Sequence, residues 1–469
     1  MKFEEMTLSQ ELLKAIDQLE YKTVLPVQEK VIPILLERKD VVVQSKTGSG
    51  KTASYAIPEI EKIDWNLSTP QVLVITPTRE LAKQVQNEFK MIGSYKKIQA
   101  ISLIGQQPIK GQIMLLKSKV HVVCGTIGRI LDHIERGTLD VSLIHTCIID
   151  EADECFKLGF LEDLTEIMKH LPQCTKALFS ATYPSEIQEV IHTYLQDPIS
   201  IKIKDTKEYN TDITLHAISV TKENKMDILF SLINQDLPKQ AIIFCNFREN
   251  VDEVFDAFYE KGYSCCMIHG GLEQDERLEN MRDFKKGMFR FLIASDIAAR
   301  GIDVERISHV YNFDPPTTTE TLIHRIGRSG RVGRQGESTT LVLNTQMKYI
   351  ERMEEELDTA FDWIEKVVST PMQEILKTSE PQILKEEKLQ STITRLYIKG
   401  GKNKKIRAKD LVGAILQNPN ICFEDIGVIE IMENQSYVEI LNGKGKLVFE
   451  DLKTRTIKNK KILVEIAKD

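Results

Sequence analysis

Two short stretches of this chain have the residue types and spacing to handle a nucleoside triphosphate. Thr47-Gly48-Ser49-Gly50-Lys51-Thr52 follows the apolar run Val41-Val42-Val43, and Asp150-Glu151-Ala152-Asp153 follows Thr146-Cys147-Ile148-Ile149. A triphosphate brings several negative charges that must leave water without being left unpaired. A glycine-rich turn opening a helix meets that need with backbone N–H groups and the helix dipole. Gly48, Ser49 and Gly50 supply the turn, Lys51 a point charge, and Thr52 a hydroxyl able to reach Mg2+. The strict G-x-x-x-x-G-K-T spacing is absent; only its Gly-x-Gly-Lys-Thr end is kept. Asp150 and Glu151 end a strand at the carboxyl edge, where open α/β sheets hold their ligands. One carboxylate there can hold the metal through water while its neighbour polarises the attacking water. Either stretch alone also reads as an ordinary turn; the pair reads as an ATP-hydrolysing site that uses Mg2+.

Further motifs follow in order: Pro77-Thr78-Arg79-Glu80-Leu81-Ala82, Ser180-Ala181-Thr182, and His269-Gly270-Gly271 with Gln274 and Arg277. Then come Ala294-Ser295-Asp296, continuing to Gly301-Ile302-Asp303, and His324-Arg325-Ile326-Gly327-Arg328-Ser329-Gly330-Arg331. With these residues the chain from Phe3 to Gly336 resembles the DEAD-box RNA helicases. The resemblance implies two RecA-like domains, RNA-dependent ATP hydrolysis and local unwinding of short duplexes. It makes Lys51, Asp150 and Glu151 catalytic, with Thr52 and Asp150 holding Mg2+ through water. Arg328 and Arg331 match arginine fingers from the second domain, so hydrolysis is expected to wait for the two domains to close.

The same resemblance puts nucleotide contacts on Gly48, Ser49, Gly50, Lys51, Thr52 and Asp303. Gln28 would read the adenine edge, with Phe3 and Tyr21 as nearby aromatics; Gln28 also reads as a helix-surface residue. RNA contacts are implied for Arg79, Gly105, Thr126, Arg129, Gly270 and Ser295. Ser180, Thr182 and His324 would couple the ATP state to RNA engagement. Three departures stand out: Ile127 replaces the proline of Thr-Pro-Gly-Arg, Gln106 replaces the second glycine of Gly-Gly, and Val24-Leu25-Pro26 replaces Pro-Thr. Proline fixes φ, so Ile127 is expected to loosen that turn without deleting Thr126 or Arg129.

At 469 residues the chain exceeds one core and suits two or three domains. Its 42% hydrophobic and 28% charged content describes a soluble globular protein. No apolar run is long enough to span a bilayer, and Met1-Lys2-Phe3-Glu4-Glu5 lacks the apolar core of a signal peptide. Eight scattered cysteines without metal-ligand spacing read as reduced thiols. A cytoplasmic monomer with no membrane contact is expected. Apolar runs at Val41–Val43, Val72–Thr76, Val120–Cys124, Cys147–Asp150 and Ala177–Ser180 alternate with helical stretches. The rhythm resumes at Ala241–Cys245, Cys265–His269, Phe291–Ala294, Val310–Phe313 and Thr339–Leu343. Such alternation predicts α/β parallel sheets. The expected plan is two tandem RecA-like parallel-sheet domains, 1–205 and 212–362, separated by the polar stretch Lys204–Asn210. A linker over 363–390 and a small RRM-like α+β domain over 391–469 follow.

Net charge is −7, an odd value for an RNA binder. From Ser391 to Asp469, however, 15 Lys and Arg face 10 Asp and Glu, a balance of +5 that leaves −12 on the rest. Strands at Ile393–Ile398, Val428–Met432, Tyr437–Leu441 and Ile462–Ile466, with a helix at Ala408–Leu416, are expected there. RRM domains stack bases on sheet aromatics. Tyr397 and Tyr437 stand at two such positions, but Gln435 and Glu433 occupy the other expected aromatic and basic places. The loop Lys399–Arg407, with Lys402, Lys404, Lys405 and Arg407, favours phosphate contacts instead; it also reads as a solvated lysine loop. This tail resembles the DbpA/YxiN subgroup of bacterial DEAD-box proteins. That likeness implies a 23S rRNA hairpin on the 50S precursor as the RNA partner. An ATP-gated RNA clamp or assembly scaffold, and a general RNA chaperone without rRNA preference, remain alternatives. A DNA translocase is disfavoured by the tetrad and by Arg325-Ile326-Gly327-Arg328.

Overall fold

A computed structural model describes residues 2–45, 49–182, 185–203, 213–296, 307–326, 336–368, 372–381, 393–457 and 462–467. The first sheet holds β1 (Val41–Gln44), β2 (Val72–Thr76), β3 (Ala100–Leu103), β4 (Val122–Thr126), β5 (Thr146–Ile149), β6 (Thr175–Ser180) and β7 (Ile199–Lys202). Their order is β3-β4-β2-β5-β6-β1-β7, all parallel. Parallel strands are covered by helices on both faces and so read as continuous apolar runs. Accordingly Val41, Val42 and Val43 are all buried, and alternate residues feed two different core layers.

The helix Arg79–Ile92 shows how sequence makes these layers. Thr78 caps it by accepting the Leu81 N–H at 3.3 Å. Leu81, Val85, Phe89 and Ile92 recur at helical spacing and are buried. Each such side chain contributes roughly 1.5–3 kcal/mol by leaving water. Lys83 and Lys90 fall off that stripe. The helix stops at Gly93, where a Cβ would lie 2.6 Å from Ile98 Cβ.

The second sheet holds β8 (Ile213–Val220), β9 (Ala241–Cys245), β10 (Cys265–Ile268), β11 (Phe291–Ser295), β12 (His309–Asn312), β13 (Gly336–Leu343) and β14 (Asp362–Trp363). The order β10-β11-β9-β12-β13-β8-β14 is again all parallel. Both sheets thus carry strands beyond the five expected in each. β7 and β14 are edge strands with mostly exposed side chains, which blunts the apolar signal. The polar stretch 204–210 lies outside the described residues.

Part of the segment expected as a linker belongs in space to the second sheet. Ile364, Val367 and Met372 pack on its core, and Leu376 is fully buried there. Arg290 Nε donates to Thr378 O at 2.9 Å, and Gly287 lies so close to Glu380 that a Cβ would meet its carbonyl at 2.6 Å.

The C-terminal module has β15 (Thr394–Ile398), β16 (Ile426–Ile431), β17 (Ser436–Ile440) and β18 (Val464–Ile466) in the antiparallel order β16-β17-β15-β18. Leu396, Ile398, Val438 and Ile440 pack with Leu411 and Ile415 of helix Ala408–Ile415 and with Val448 and Leu452 of helix Gly445–Thr454. Strand side chains alternate between faces, so Arg395, Tyr397, Tyr437 and Glu439 share the other side. Among the described residues no helix is long and apolar enough to cross a membrane.

Candidate active site

Gly50 precedes the helix Lys51–Lys62 with φ +85°, a left-handed conformation that favours glycine. A Cβ there would meet Leu25 Cδ1 at 2.6 Å and Gln28 Nε2 at 2.9 Å. Gln28 is buried beside the turn; its Nε2 donates to Gly50 O at 3.4 Å, and its Oε1 accepts the Leu25 N–H at 2.9 Å. Lys51 Nζ donates to Ser45 O at 3.0 Å, and Ser49 Oγ lies 3.3 Å from Ser45 Oγ. Phe3 is buried in the first core, and Tyr21 packs against that core with its hydroxyl donating to Glu88. Gly48 lies outside the described residues.

Asp150 leaves the end of β5 with its N–H donated to Ile75 O at 2.9 Å. Its Oδ1 accepts the Glu151 N–H at 2.9 Å, and its Oδ2 accepts the Tyr55 hydroxyl at 2.8 Å. Burial pushes this carboxyl up, against the opposing pull of Lys51, and burial also raises Tyr55 well above its usual value. Glu151 adopts φ 49°, ψ 52° and opens the helix Ala152–Lys157. A left-handed non-glycine residue stores on the order of 1–3 kcal/mol of strain, and such residues cluster at functional sites. Asp153 Oδ2 accepts the backbone N–H groups of Ala181 at 3.2 Å and Thr182 at 3.0 Å, while its own N–H donates to Ser180 Oγ at 3.3 Å. The tetrad and the Ser180-Ala181-Thr182 turn are therefore joined into one hydrogen-bonded unit.

The two sheets meet across this unit. The Thr182 hydroxyl lies 3.1 Å from both Asp153 Oδ2 and Glu320 Oε1, and Glu320 also pairs with Lys157. His324 Nδ1 lies 3.5 Å from Glu154 Oε1. Asp153, Glu320 and His324 bring ligand-type atoms within 4.8 Å of one another; Lys157 and Thr182 already balance Glu320 there. A second bridge joins Glu80 Oε1 to Arg277 Nη2 at 2.9 Å and to Gln274 Nε2 at 3.1 Å. Arg79 Nη1 donates to Gln274 Oε1 at 2.8 Å and also to Gln106.

Arg79, Gly105, Thr126 and Arg129 gather at the carboxyl ends of β2, β3 and β4. A Cβ at Gly105 would approach Arg79 Nη2 to 3.2 Å, and Arg129 Nη1 donates to Gln107 O at 3.0 Å. Thr126 precedes the helix Ile127–Glu135, in which Ile127 is buried. Gly270 is exposed with open space around it, and Ser295 ends β11. Asp303, Arg328 and Arg331 lie outside the described residues.

Among the described residues Arg325, three positions before Arg328, is the largest fully buried side chain. All its donor positions are used: Nε and Nη2 on the Asp296 carboxylate, Nη2 on Asn246 Oδ1 at 2.7 Å, and Nη1 on Asn312 Oδ1 and Asp314 O at 3.1 and 2.7 Å. It ties the helix Thr319–Ile326 to the ends of β9, β11 and β12. Arg325→Ala removes the guanidinium that pairs with Asp296 and should destabilise the second domain by about 3–5 kcal/mol. Urea unfolding of that domain checks this, and a loss under about 1 kcal/mol would contradict the hub.

In the C-terminal module the basic loop is pinned to the β16–β17 hairpin. Lys402 N–H donates to Met432 O and Asn403 N–H to Glu433 O, both at 2.9 Å. Lys402, Lys404, Lys405 and Arg407 remain exposed. The sheet aromatics are less open. Tyr397 and Tyr437 form a T-shaped pair at 5.7 Å, and Arg395 lies over Tyr437 at 4.4 Å while pairing with Glu430 at 2.6 Å.

Comparison with known proteins accounts for this assembly. The DEAD/DEAH box helicase family model matches residues 25–190, the helicase conserved C-terminal domain 224–333, and the DbpA RNA binding domain 395–466. The ATP-dependent RNA helicase DbpA of Bacillus subtilis is 42% identical over 478 residues, 99% of each chain. This chain belongs to the DEAD-box ATP-dependent RNA helicases. The helicase is also 42% identical to DEAD-box ATP-dependent RNA helicase CshA of Geobacillus kaustophilus, over 75% of this chain and 76% of that one. Its structure resembles S. cerevisiae Dbp5 bound to RNA and ADP BeF3, with TM-score 0.71 and 26% identity over 77% of this chain and 95% of that one.

As a DEAD-box helicase the chain binds RNA and uses ATP. Four participants escaped the sequence reading: Tyr55, Lys157, Glu320 and the packing role of Arg325. Tyr55 lies in the helix after the turn, and its hydroxyl was a signal; the others needed the opposite domain in place.

Proposed function

We propose that this helicase is directed by residues 393–467 to a hairpin of 23S rRNA on the 50S precursor. There it separates short duplexes nearby as a cytoplasmic monomer. The observation that carries this reading is the Lys402–Arg407 loop, hydrogen-bonded to the hairpin with its four cations exposed, on a DbpA-type module. Clustered cations suit a shaped phosphate backbone, whereas Tyr437, under Arg395 and edge-on to Tyr397, gives bases little to stack on. In the cleft, Lys51 and the turn hold the triphosphate, Glu151 orients the attacking water, and Arg328 and Arg331 complete the charge on closure. The Thr52, Tyr55 and Asp150 oxygens form a hard-donor cluster of the kind that suits Mg2+ held through water. When bound, that ion would offset phosphate charge. Arg79, Thr126 and Arg129 hold RNA from the first domain, Gly270 and Ser295 from the second. Ser180, Thr182 and His324 transmit the nucleotide state.

Crosslinking and sequencing of the cellular RNA bound to Glu151→Gln protein tests the target. Reads should concentrate at one large-subunit rRNA hairpin; an even spread over cellular RNA refutes the assignment.

A further inference from the structure

Tyr55 sits one helical turn after Lys51 on the helix that opens at the phosphate turn, so the two side chains share a face. Its ring is fully buried between two aromatic neighbours. Phe179, one residue before Ser180, lies 5.1 Å away, and Phe89 of helix Arg79–Ile92 lies 6.2 Å away. That packing uses only the ring, and a phenylalanine would fill the slot equally. The hydroxyl is therefore not explained by the core. A buried phenol needs a partner, and here its proton goes to Asp150 Oδ2 at 2.8 Å.

For Asp150 this bond has a geometric consequence. Rotation about the Cβ–Cγ bond of an aspartate is soft, because that torsion has broad wells rather than sharp rotamers. A donor on one oxygen leaves the carboxylate plane free to swing about the contact; donors on both oxygens, from different segments, fix it. Oδ1 takes the Glu151 N–H at 2.9 Å and Oδ2 takes the Tyr55 hydroxyl, while the Asp150 N–H is tied to Ile75 O at 2.9 Å. A carboxylate has about four lone-pair positions, so each oxygen keeps acceptor capacity after these bonds. The group is thus oriented with capacity to spare, and the helix that orients it also carries Lys51.

We propose that Tyr55 is a positioning residue for metal-dependent nucleotide binding: its hydroxyl holds the Asp150 carboxylate in the orientation that receives Mg2+-bound water. This role rests on the reading of Asp150 as the holder of Mg2+ and deepens it. Tyr55 acts through Asp150 and need not touch the ion. Partners that orient a metal-holding group control metal affinity by about ten- to a hundredfold, and a group acting through water falls at the lower end.

Tyr55→Phe in the full chain tests this, read by equilibrium binding of a fluorescent ADP analogue. With Mg2+ removed by EDTA, the variant should bind as wild type does. The Mg2+ concentration that gives half of the metal-dependent gain in affinity should rise about tenfold. A purely structural hydroxyl would change resistance to urea and leave that concentration alone, so an unshifted Mg2+ requirement overturns the proposal. Asp150→Asn separates the two readings. If it raises the Mg2+ requirement and Tyr55→Phe does not, the positioning role falls and the metal reading stands. If Asp150→Asn also changes nothing, the metal reading falls and takes the role of Tyr55 with it. In the double variant the two effects should not add, since one acts through the other. Full additivity places Tyr55 on a separate path and also overturns the proposal.

Discussion

Glu151→Gln should leave ATP and RNA bound and cut steady-state hydrolysis by about two to four orders of magnitude, the span of a lost general base. The substitution is nearly isosteric, and the left-handed backbone at Glu151 is held through its N–H on Asp150 Oδ1, which glutamine keeps. The neighbouring hub of Asp153 with Ala181 and Thr182 does not involve the Glu151 carboxylate. On the proposed role, the substitution removes the negative charge that orients the attacking water. The loss should therefore appear in kcat with little change in ATP affinity, the pattern of an interaction made in the transition state. Single-turnover hydrolysis and equilibrium nucleotide binding measure the two sides. Turnover within about threefold of wild type would remove Glu151 from the proposed role.

Neutralising Lys402, Lys404, Lys405 and Arg407 together, each to Gln, should weaken binding of structured rRNA by at least about a hundredfold and lower its salt dependence. If all four contact phosphates, the slope of log K against log salt should fall by about three units. The four side chains are exposed, so the module should fold as before. A second change separates charge from presentation. Gly401 lies where a Cβ would come 2.0 Å from Met432 O, so Gly401→Ala must push the loop off the hairpin while keeping every lysine. It should raise the half-saturating concentration of structured rRNA while kcat at saturating RNA stays unchanged. A neutralised loop with an unaltered salt slope would place the rRNA contact on another surface.

The local features of the site were legible because they are local. A glycine-rich turn between an apolar strand and a helix follows from a few consecutive residues, and so does a carboxylate pair ending a strand. Gly50 has its positive φ and Asp150 its place after β5, as that logic requires. The edge strands β7 and β14 were hidden because their exposed side chains carry little apolar periodicity. Tyr397 and Tyr437 were legible as sheet residues, but only the sheet pairing reveals that Arg395, held by Glu430, lies over Tyr437. The segment 363–390 was expected to be a linker, yet Leu376 found its partners more than a hundred residues earlier, where Ser264 donates to its carbonyl.

By itself the sequence determined the chemistry on offer: a phosphate turn, a carboxylate tetrad, the order of motifs that marks the family, and a basic tail on an acidic motor. Tertiary structure alone decided which groups complete that chemistry. Tyr55 reaches Asp150 from 95 residues away, and Thr182 reaches Glu320 from 138. It also decided that Phe423 and Asn442 of the basic tail meet Lys97 and Tyr95 of the first domain. Residue type and short spacing are written into the chain, but burial and partnership arise only when distant segments exclude water from one another.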